Sequence, residues 1–345
     1  MKKEPSLCHA LSWRKNRMRK KHFTGFCTVI LAGTLLAGSV NADPVKEDQF
    51  VFQPKIVSQY QNEIYGEDMV QTWYHLVDAV LAGNDTFACP DQETYDWVFG
   101  QFPDRYFPVL TQLIEPIYGG AVENGIGRFH YKTTREECES KLTEFETLVE
   151  EILQQTMKTD YSDMEKALSL YRFFYLHYEY DYETFQKMAR HEVDSDVFSY
   201  DFLKEGIGIC RQAACAYSYL LMQAGMDATI MMGESRDGEE NHEWSYVRIN
   251  GNHYHVDPTY VLSEPGNLEY FLMTDEKRAD QFPPERWVIA GTYTQEHVHP
   301  EYTADDDSFR TLWDTSLDDF DHDAHMIYSW YYDDAGNPVQ AAFPY

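Results

Sequence analysis

A helix pattern followed directly by strand patterns occupies residues 210–256 and limits the fold more than any other part of the sequence. Residues 210–224 are rich in alanine and place apolar side chains at helical spacing, and the pattern stops at Gly225. Strand patterns then follow at residues 229–232, 244–249 and 253–256. Asn250 and Gly251 join the last two strands and are a strong hairpin signal. The order predicts one helix followed by an antiparallel hairpin.

Three residues with catalytic chemistry lie at the ends of these elements. Cys210 begins the helix, where the partial positive charge of unpaired backbone N–H groups favours a thiolate. His242 opens one hairpin strand, where it can pair with the thiol and later donate a proton. Asp257 closes the next strand and can hold the imidazole in the required tautomer. Because His242 and Asp257 flank the same turn, we expect them at the open end of one hairpin.

Three short motifs carry these residues: Gly208-x-Cys210, His242-x-Trp244 and Tyr254-x-Val256-Asp257-Pro258-Thr259. In this order, with an alanine-rich helix after the first, they resemble the catalytic core of the bacterial transglutaminase-like superfamily. The resemblance covers about Ser162 to Asp275. It implies a papain-like α+β fold, in which the helix bearing Cys210 packs on an antiparallel sheet. It also implies acyl transfer at amides through a thioester, with Cys210 as nucleophile, His242 as base and acid, and Asp257 as orienting group.

Neighbouring residues are assigned by their positions in these motifs. Trp244 and Gly208 are expected to line the site, and Trp244 either shields the reacting pair from water or fills the core. Strand alternation should turn Glu243 away from the histidine. Cys215 follows the nucleophile by five residues on the helix and is expected to serve packing. His253 and His255 are expected to be a partly exposed edge pair rather than metal ligands, and no metal or cofactor is expected.

The first 42 residues have the pattern of a secretory signal peptide. A basic run ends at Lys21, an apolar stretch extends from Phe23 to Val40, and small residues precede a predicted cleavage after Ala42. An uncleaved membrane anchor is the alternative, because the apolar stretch is close to spanning length. Met18 begins a more ordinary signal than Met1 does. The prediction is a secreted, periplasmic or cell-surface protein with no stable membrane anchor after cleavage.

Four cysteines follow this leader, namely Cys89, Cys138, Cys210 and Cys215. A disulfide is permitted outside the cytoplasm, and four cysteines allow three pairings. With Cys210 assigned to chemistry and Cys215 to packing, Cys89 and Cys138 remain as a candidate disulfide. Two free thiols are the alternative.

The remaining organisation is predicted from local patterns. Residues 43–158 are expected to form a mostly helical N-terminal region, with a half-buried strand at residues 128–132. Residues 159–290 are expected to form the catalytic domain, whose first helix follows the capping-box pair Ser162 and Glu165. Residues 291–345 are expected to be an extension with an acidic loop and a terminal hairpin.

The charge of the chain excludes several classes of partner. Residues 1–42 hold eight of the 28 basic residues and one of the 58 acidic residues, so the remaining chain carries a formal charge of −37. Such a charge repels phosphate backbones and anionic lipids, so nucleic-acid and membrane-surface partners are not expected. The expected partner is a protein or peptide substrate, with cell-wall peptide among the candidates. Hydrolysis is favoured over transamidation, and a non-catalytic module that binds peptide or cell-wall glycan is the alternative function.

Cleavage after Ala42 makes a direct prediction about the mature protein. Chain recovered from the medium or periplasm should begin at Asp43, because the small residues before it suit a signal peptidase. N-terminal sequencing and intact mass measurement check this. Protein that stays in the membrane fraction with residues 1–42 attached would contradict it.

Overall fold

The computed structural model describes residues 49–190, 192, 197–289 and 302–345, and all of these lie in one compact unit. The predicted leader lies outside the described residues. The division of the rest of the chain into three segments stays a prediction. None of the described helices is long and apolar enough to cross a membrane.

The region before residue 158 is mostly helical and also holds a small sheet. Its helices are α1 (Gln59–Tyr65), α2 (Glu67–Ala82), α3 (Gln92–Gln101), α4 (Pro103–Tyr106), α5 (Leu110–Leu113) and α6 (Arg135–Thr156). Its strands are β1 (Thr86–Ala88), β2 (Ile114–Pro116), β3 (Val122–Glu123) and β4 (Ile126–Tyr131). Strand β4 covers most of the strand predicted from the sequence, and it pairs antiparallel with each of the other three.

The predicted helix and hairpin form the centre of an α+β arrangement. The helices here are α7 (Asp163–His177), α8 (Tyr182–Ala189), α9 (Ser199–Glu205), α10 (Cys210–Gln223), α11 (Pro258–Ser263) and α12 (Asp275–Arg278). The main sheet consists of β7 (Asp227–Glu234), β8 (Asn241–Ile249), β9 (Asn252–Val256) and β10 (Trp287–Ile289). Its strand order is β10-β7-β8-β9, and every neighbouring pair is antiparallel. The short strands β5 (Glu179–Tyr180) and β6 (Ile207–Gly208) pair in parallel beside it, and 3₁₀ turns lie at Pro284–Arg286 and Arg310–Leu312.

Helix α10 packs against β7 and β8 through small side chains. Ser218 Oγ donates to the carbonyl of Thr229 at 2.9 Å, and Ser245 Oγ donates to the carbonyl of Ala214 at 3.1 Å. These buried hydrogen bonds fix the helix on the sheet, because an unpaired polar group there would cost about 1–3 kcal/mol. On the N-terminal side, the rings of Phe145 and Tyr219 are 5.8 Å apart, so α6 packs on the same helix.

The hairpin turn has the conformation that its sequence predicts. Asn250 has φ 51° and Gly251 has φ 84°, and positive φ at both central residues is what a type I′ turn requires. The capping box at the start of α7 is also present: Ser162 Oγ accepts from the N–H of Glu165, and Glu165 Oε2 accepts from the N–H of Ser162. The turn at Asn250 and Gly251 therefore sets the register of β8 against β9.

The C-terminal residues form a separate three-stranded antiparallel sheet. Its strands are β11 (Ser316–Asp321), β12 (Met326–Tyr332) and β13 (Pro338–Pro344), in the order β11-β12-β13. The terminal hairpin predicted from the sequence is β12 with β13. The acidic loop predicted from the sequence is partly wrong, because the acidic residues Asp318, Asp319 and Asp321 lie in strand β11. These three side chains are exposed, and β11 is an edge strand of the sheet, where charged residues are common.

The predicted disulfide between Cys89 and Cys138 is not formed. Both are buried free thiols. Cys89 Sγ donates to the carbonyl of Asp91 at 3.3 Å, while Cys138 lies in the first turn of α6. Burial raises the pKa of the Cys89 thiol to about 11. The alternative of two free thiols therefore describes this structure.

Candidate active site

The chain enters helix α10 through a tightly packed glycine. Gly208 pairs with Tyr180 across β5 and β6, which holds the segment before the helix in place. A Cβ atom on Gly208 would lie 2.6 Å from the Phe202 ring and 2.7 Å from Gln212 Oε1. The glycine is therefore needed for close packing beside the nucleophile, which is a more specific role than the predicted lining of the site.

The first turn of α10 is capped by its own third residue. Gln212 Oε1 accepts from the backbone N–H of Ile209 at 3.1 Å, and Gln212 Nε2 donates to the carbonyl of Phe198 at 2.9 Å. Cys210 is the first residue of the helix. The first N–H groups of a helix have no partner within it, so the thiol lies at its positive end.

The hairpin brings His242 and Asp257 into direct contact. Ser245 is opposite Val256 in the ladder, so His242 and Asp257 lie just beyond the paired residues at the open end, as predicted. His242 Nε2 and Asp257 Oδ2 are 2.7 Å apart, and both side chains are buried. Asp257 Oδ1 accepts from the N–H of Thr259 at 3.1 Å. The carboxylate is thus held at both oxygens.

Charge and hydrogen bonding favour a protonated imidazole. Burial lowers the pKa of His242, but the Asp257 carboxylate and the hydrogen-bonded Cys210 side chain together raise it to about 10. Burial alone would raise the pKa of Asp257, but His242 and Arg278 hold it below its usual range. Since Nε2 faces Asp257, Nδ1 is the ring nitrogen left for the thiol. The three residues predicted for catalysis therefore meet in the order Cys210, His242, Asp257.

The two cysteines of α10 have different surroundings. Cys210 keeps 9% of its surface exposed, whereas Cys215 is buried inside the protein. Burial raises the pKa of Cys215 well above its usual value, and the carboxylates of Asp104 and Glu243 add to the rise. Cys215 therefore stays a neutral thiol, in agreement with the packing role predicted for it.

Aromatic rings enclose the histidine. Trp244 and Phe282 stack on the His242 ring with centroids 6.2 Å and 5.3 Å away, and Tyr260 meets it edge-on at 5.9 Å. Trp244 itself has no exposed surface. The predicted position of Trp244 beside the reacting pair matches the structure, and the ring both fills core and excludes water from the imidazole.

One histidine of β9 is more deeply placed than the sequence predicted. Trp244 Nε1 donates to His255 Nδ1 at 2.8 Å, and His255 Nε2 lies 2.8 Å from Asp275 Oδ1. His255 is fully buried, and burial lowers its pKa. The prediction of a partly exposed edge pair is therefore wrong for His255. This neutral imidazole anchors the Trp244 ring.

Two further residues contact the triad and could not be predicted from the sequence. Arg278 forms an ion pair with Asp257, with Nη2 3.1 Å from Oδ2, and Phe282 stacks on the histidine. Both lie between residues 275 and 289, where no periodic pattern or motif marks them. Glu243 is the residue that strand alternation should turn away from the histidine. Burial raises its pKa, and the charges of Arg211 and Arg105 oppose that rise.

Replacing Asp257 by Asn should lower the pKa of His242, because a neutral amide no longer stabilises the imidazolium. NMR titration of labelled histidine rings measures this. In the wild type the His242 ring should stay protonated up to a pKa of about 10, and in Asp257→Asn it should lose its proton at least about one pH unit lower. Asp275→Asn is the matched control, since Asp275 contacts His255 instead. Identical His242 titrations in wild type and Asp257→Asn would contradict the assignment.

The segment that holds this site is similar to a known family. Residues 148–258, which include all three residues, match the transglutaminase-like superfamily. A candidate cysteine protease from Cytophaga hutchinsonii is 18% identical, with a TM-score of 0.24, over 37% of this chain and 40% of its own. A TGase is 16% identical, with a TM-score of 0.27, over 39% of this chain and 40% of its own. No curated protein matches the sequence. The family match over residues 148–258 supports a papain-like cysteine enzyme in coarse terms.

Proposed function

We propose that this chain is an exported cysteine enzyme that hydrolyses peptide amide bonds through a thioester. Its nucleophile is Cys210, its general base and acid is His242, and Asp257 orients the imidazole. The substrate is a protein or peptide, with cell-wall peptide among the candidates. Hydrolysis is favoured over transamidation because water is the most abundant acceptor outside the cell.

The observation that carries this proposal is the hydrogen-bonded series of three side chains at the positive end of α10. The 2.7 Å contact between His242 Nε2 and Asp257 Oδ2 presents the opposite ring nitrogen to Cys210. A nucleophile with an adjacent base, and a third group that orients that base, is the arrangement that activates a thiol. A protein that only binds peptide has no chemical need for it.

In the first half of the reaction the substrate becomes a thioester. The Cys210 thiolate attacks the amide carbonyl, and the carbon–sulfur bond forms as the carbonyl oxygen takes up negative charge. In this scheme the backbone N–H of Cys210, the first residue of α10, donates to that oxygen. The His242 imidazolium then donates its proton to the amide nitrogen, the carbon–nitrogen bond breaks, and the amine leaves. His242 is now neutral.

In the second half water releases the acyl group. Neutral His242 takes a proton from water, whose oxygen attacks the thioester carbonyl. The carbon–sulfur bond breaks, the product leaves as a carboxylic acid, and the thiolate and imidazolium are restored. An amine in place of water would give a transamidated product. The buried carboxylate of Asp257 stabilises the imidazolium before and after each transfer.

The test uses purified mature protein, a complex peptide mixture and water enriched in the heavy oxygen isotope. New carboxyl groups that carry the label report hydrolysis, and incorporation of an added fluorescent primary amine reports transamidation. Both are read by peptide mass spectrometry. Cys210→Ala should lose turnover by at least about 10³-fold, because the covalent path is closed. Cys215→Ala on the same helix is the matched control and should retain turnover.

Two outcomes would overturn the proposal. Equal turnover in wild type and Cys210→Ala would show that the thiol is not the nucleophile. Peptide retention by both proteins without turnover in either would favour the non-catalytic binding module. If product forms only with the added amine, the catalytic roles of the three residues stand, but the reaction is transamidation and not hydrolysis.

A further inference from the structure

A buried arginine shares the carboxylate of the triad. Arg278 ends helix α12, and its side chain and that of Asp257 have no exposed surface. Its Nη2 atom lies 3.1 Å from Asp257 Oδ2, the same oxygen that lies 2.7 Å from His242 Nε2. One carboxylate oxygen is therefore held between a guanidinium and an imidazole.

The guanidinium is fixed by the same rings that enclose the histidine. Arg278 Cζ lies 4.1 Å from the centre of the Trp244 ring and 4.6 Å from that of Phe282. Arg278 Nη1 donates to Gln281 Oε1 at 3.1 Å. Stacking on a ring face together with pairing to a carboxylate suits the flat, always charged guanidinium better than an ammonium group.

The titratable groups around Asp257 and His242 determine which charges Arg278 offsets. The other titratable groups near Asp257, Arg278 and His242 include Glu240, Glu243, His255, Tyr171, Tyr260 and Tyr270. Burial keeps the phenols and His255 neutral, since it raises the pKa of the tyrosines and lowers that of the histidine. Two carboxyl groups, Glu240 and Glu243, also interact with His242, and burial raises the pKa of both. His242 and Arg278 supply the positive charges that hold the pKa of Asp257 down, so without Arg278 this charge would rest on the imidazolium of His242.

We propose that Arg278 is a positioning residue of the triad, whose buried positive charge holds Asp257 in place and lets the Cys210–His242 ion pair form at lower pH. This inference rests on the proposed function, because it concerns the reactivity of the same thiol. A positive charge beside a site stabilises its deprotonated forms, so removing that charge should move thiolate formation to higher pH.

The experiment measures iodoacetamide alkylation of Cys210 against pH in wild type, Arg278→Gln, Arg278→Lys and Arg248→Gln. Peptide mass spectrometry gives the pH of half-maximal rate. Arg278→Gln should raise this pH by roughly one unit or more, whereas Arg278→Lys keeps the charge and should stay near the wild type. Arg248 also pairs with carboxylates and stacks on a ring, that of Tyr60 at 4.7 Å, but near the far end of β8. Arg248→Gln should leave the profile unmoved.

The outcomes separate this inference from the proposed function. If Cys210 in the wild type reacts no faster than Cys215, the proposed function fails. The inference is overturned if wild-type Cys210 is activated while Arg278→Gln shows the same pH of half-maximal alkylation rate and only a lower maximal rate. Arg278 then has only a structural role. Near-UV circular dichroism checks folding. Should Arg278→Gln not fold, Arg278→Lys decides, because a half-maximal pH raised by a unit or more despite the retained charge would overturn the inference.

Discussion

The buried carboxylate of Asp257 is the group on which the rest of the site depends. An isolated carboxylate without exposed surface would cost several kcal/mol, so it must be paired and hydrogen-bonded to remain ionised. Here His242, Arg278 and the N–H of Thr259 all approach its two oxygens. Because Asp257 stays ionised, the imidazole beside it favours its protonated form, and a protonated imidazole in turn favours a thiolate on Cys210.

Three features of the fold allow this pairing: the hairpin turn, a glycine on β7, and small side chains between α10 and the sheet. The tight turn at Asn250 and Gly251 sets the register that brings His242 and Asp257 together. Gly233, opposite His242, leaves room for the Trp244 ring, since a Cβ there would lie 2.6 Å from it. Small side chains then let α10 approach the sheet closely. Together these features position Cys210, His242 and Asp257 next to one another.

Much of this could be predicted from the sequence because its signals are local. The helix that begins at Cys210, the three strands and the hairpin turn follow from periodicity and from one dipeptide, and the order of the motifs indicated the family. Arg278 and Phe282 could not be found in this way, because their contacts with Asp257 and His242 depend on how a non-periodic segment folds back over the sheet. The burial of His255 could not be predicted for the same reason. The alternation of a strand shows on which face of the sheet a side chain lies, but it does not show which elements pack over that face. Likewise, elimination among cysteines suggested a disulfide, although the sulfur of Cys89 faces a backbone carbonyl.

The most direct test of the account is the reactivity of the nucleophile with and without its base. The rate of iodoacetamide alkylation at Cys210 should be measured against pH in wild type and in His242→Ala, with the buried Cys215 as internal reference. If His242 activates the thiol, Cys210 should react selectively at a pH well below about 8.5, which is the pKa of a free cysteine thiol. The His242→Ala variant should lose this reactivity. A Cys210 that is no faster than Cys215 in both proteins would contradict the account.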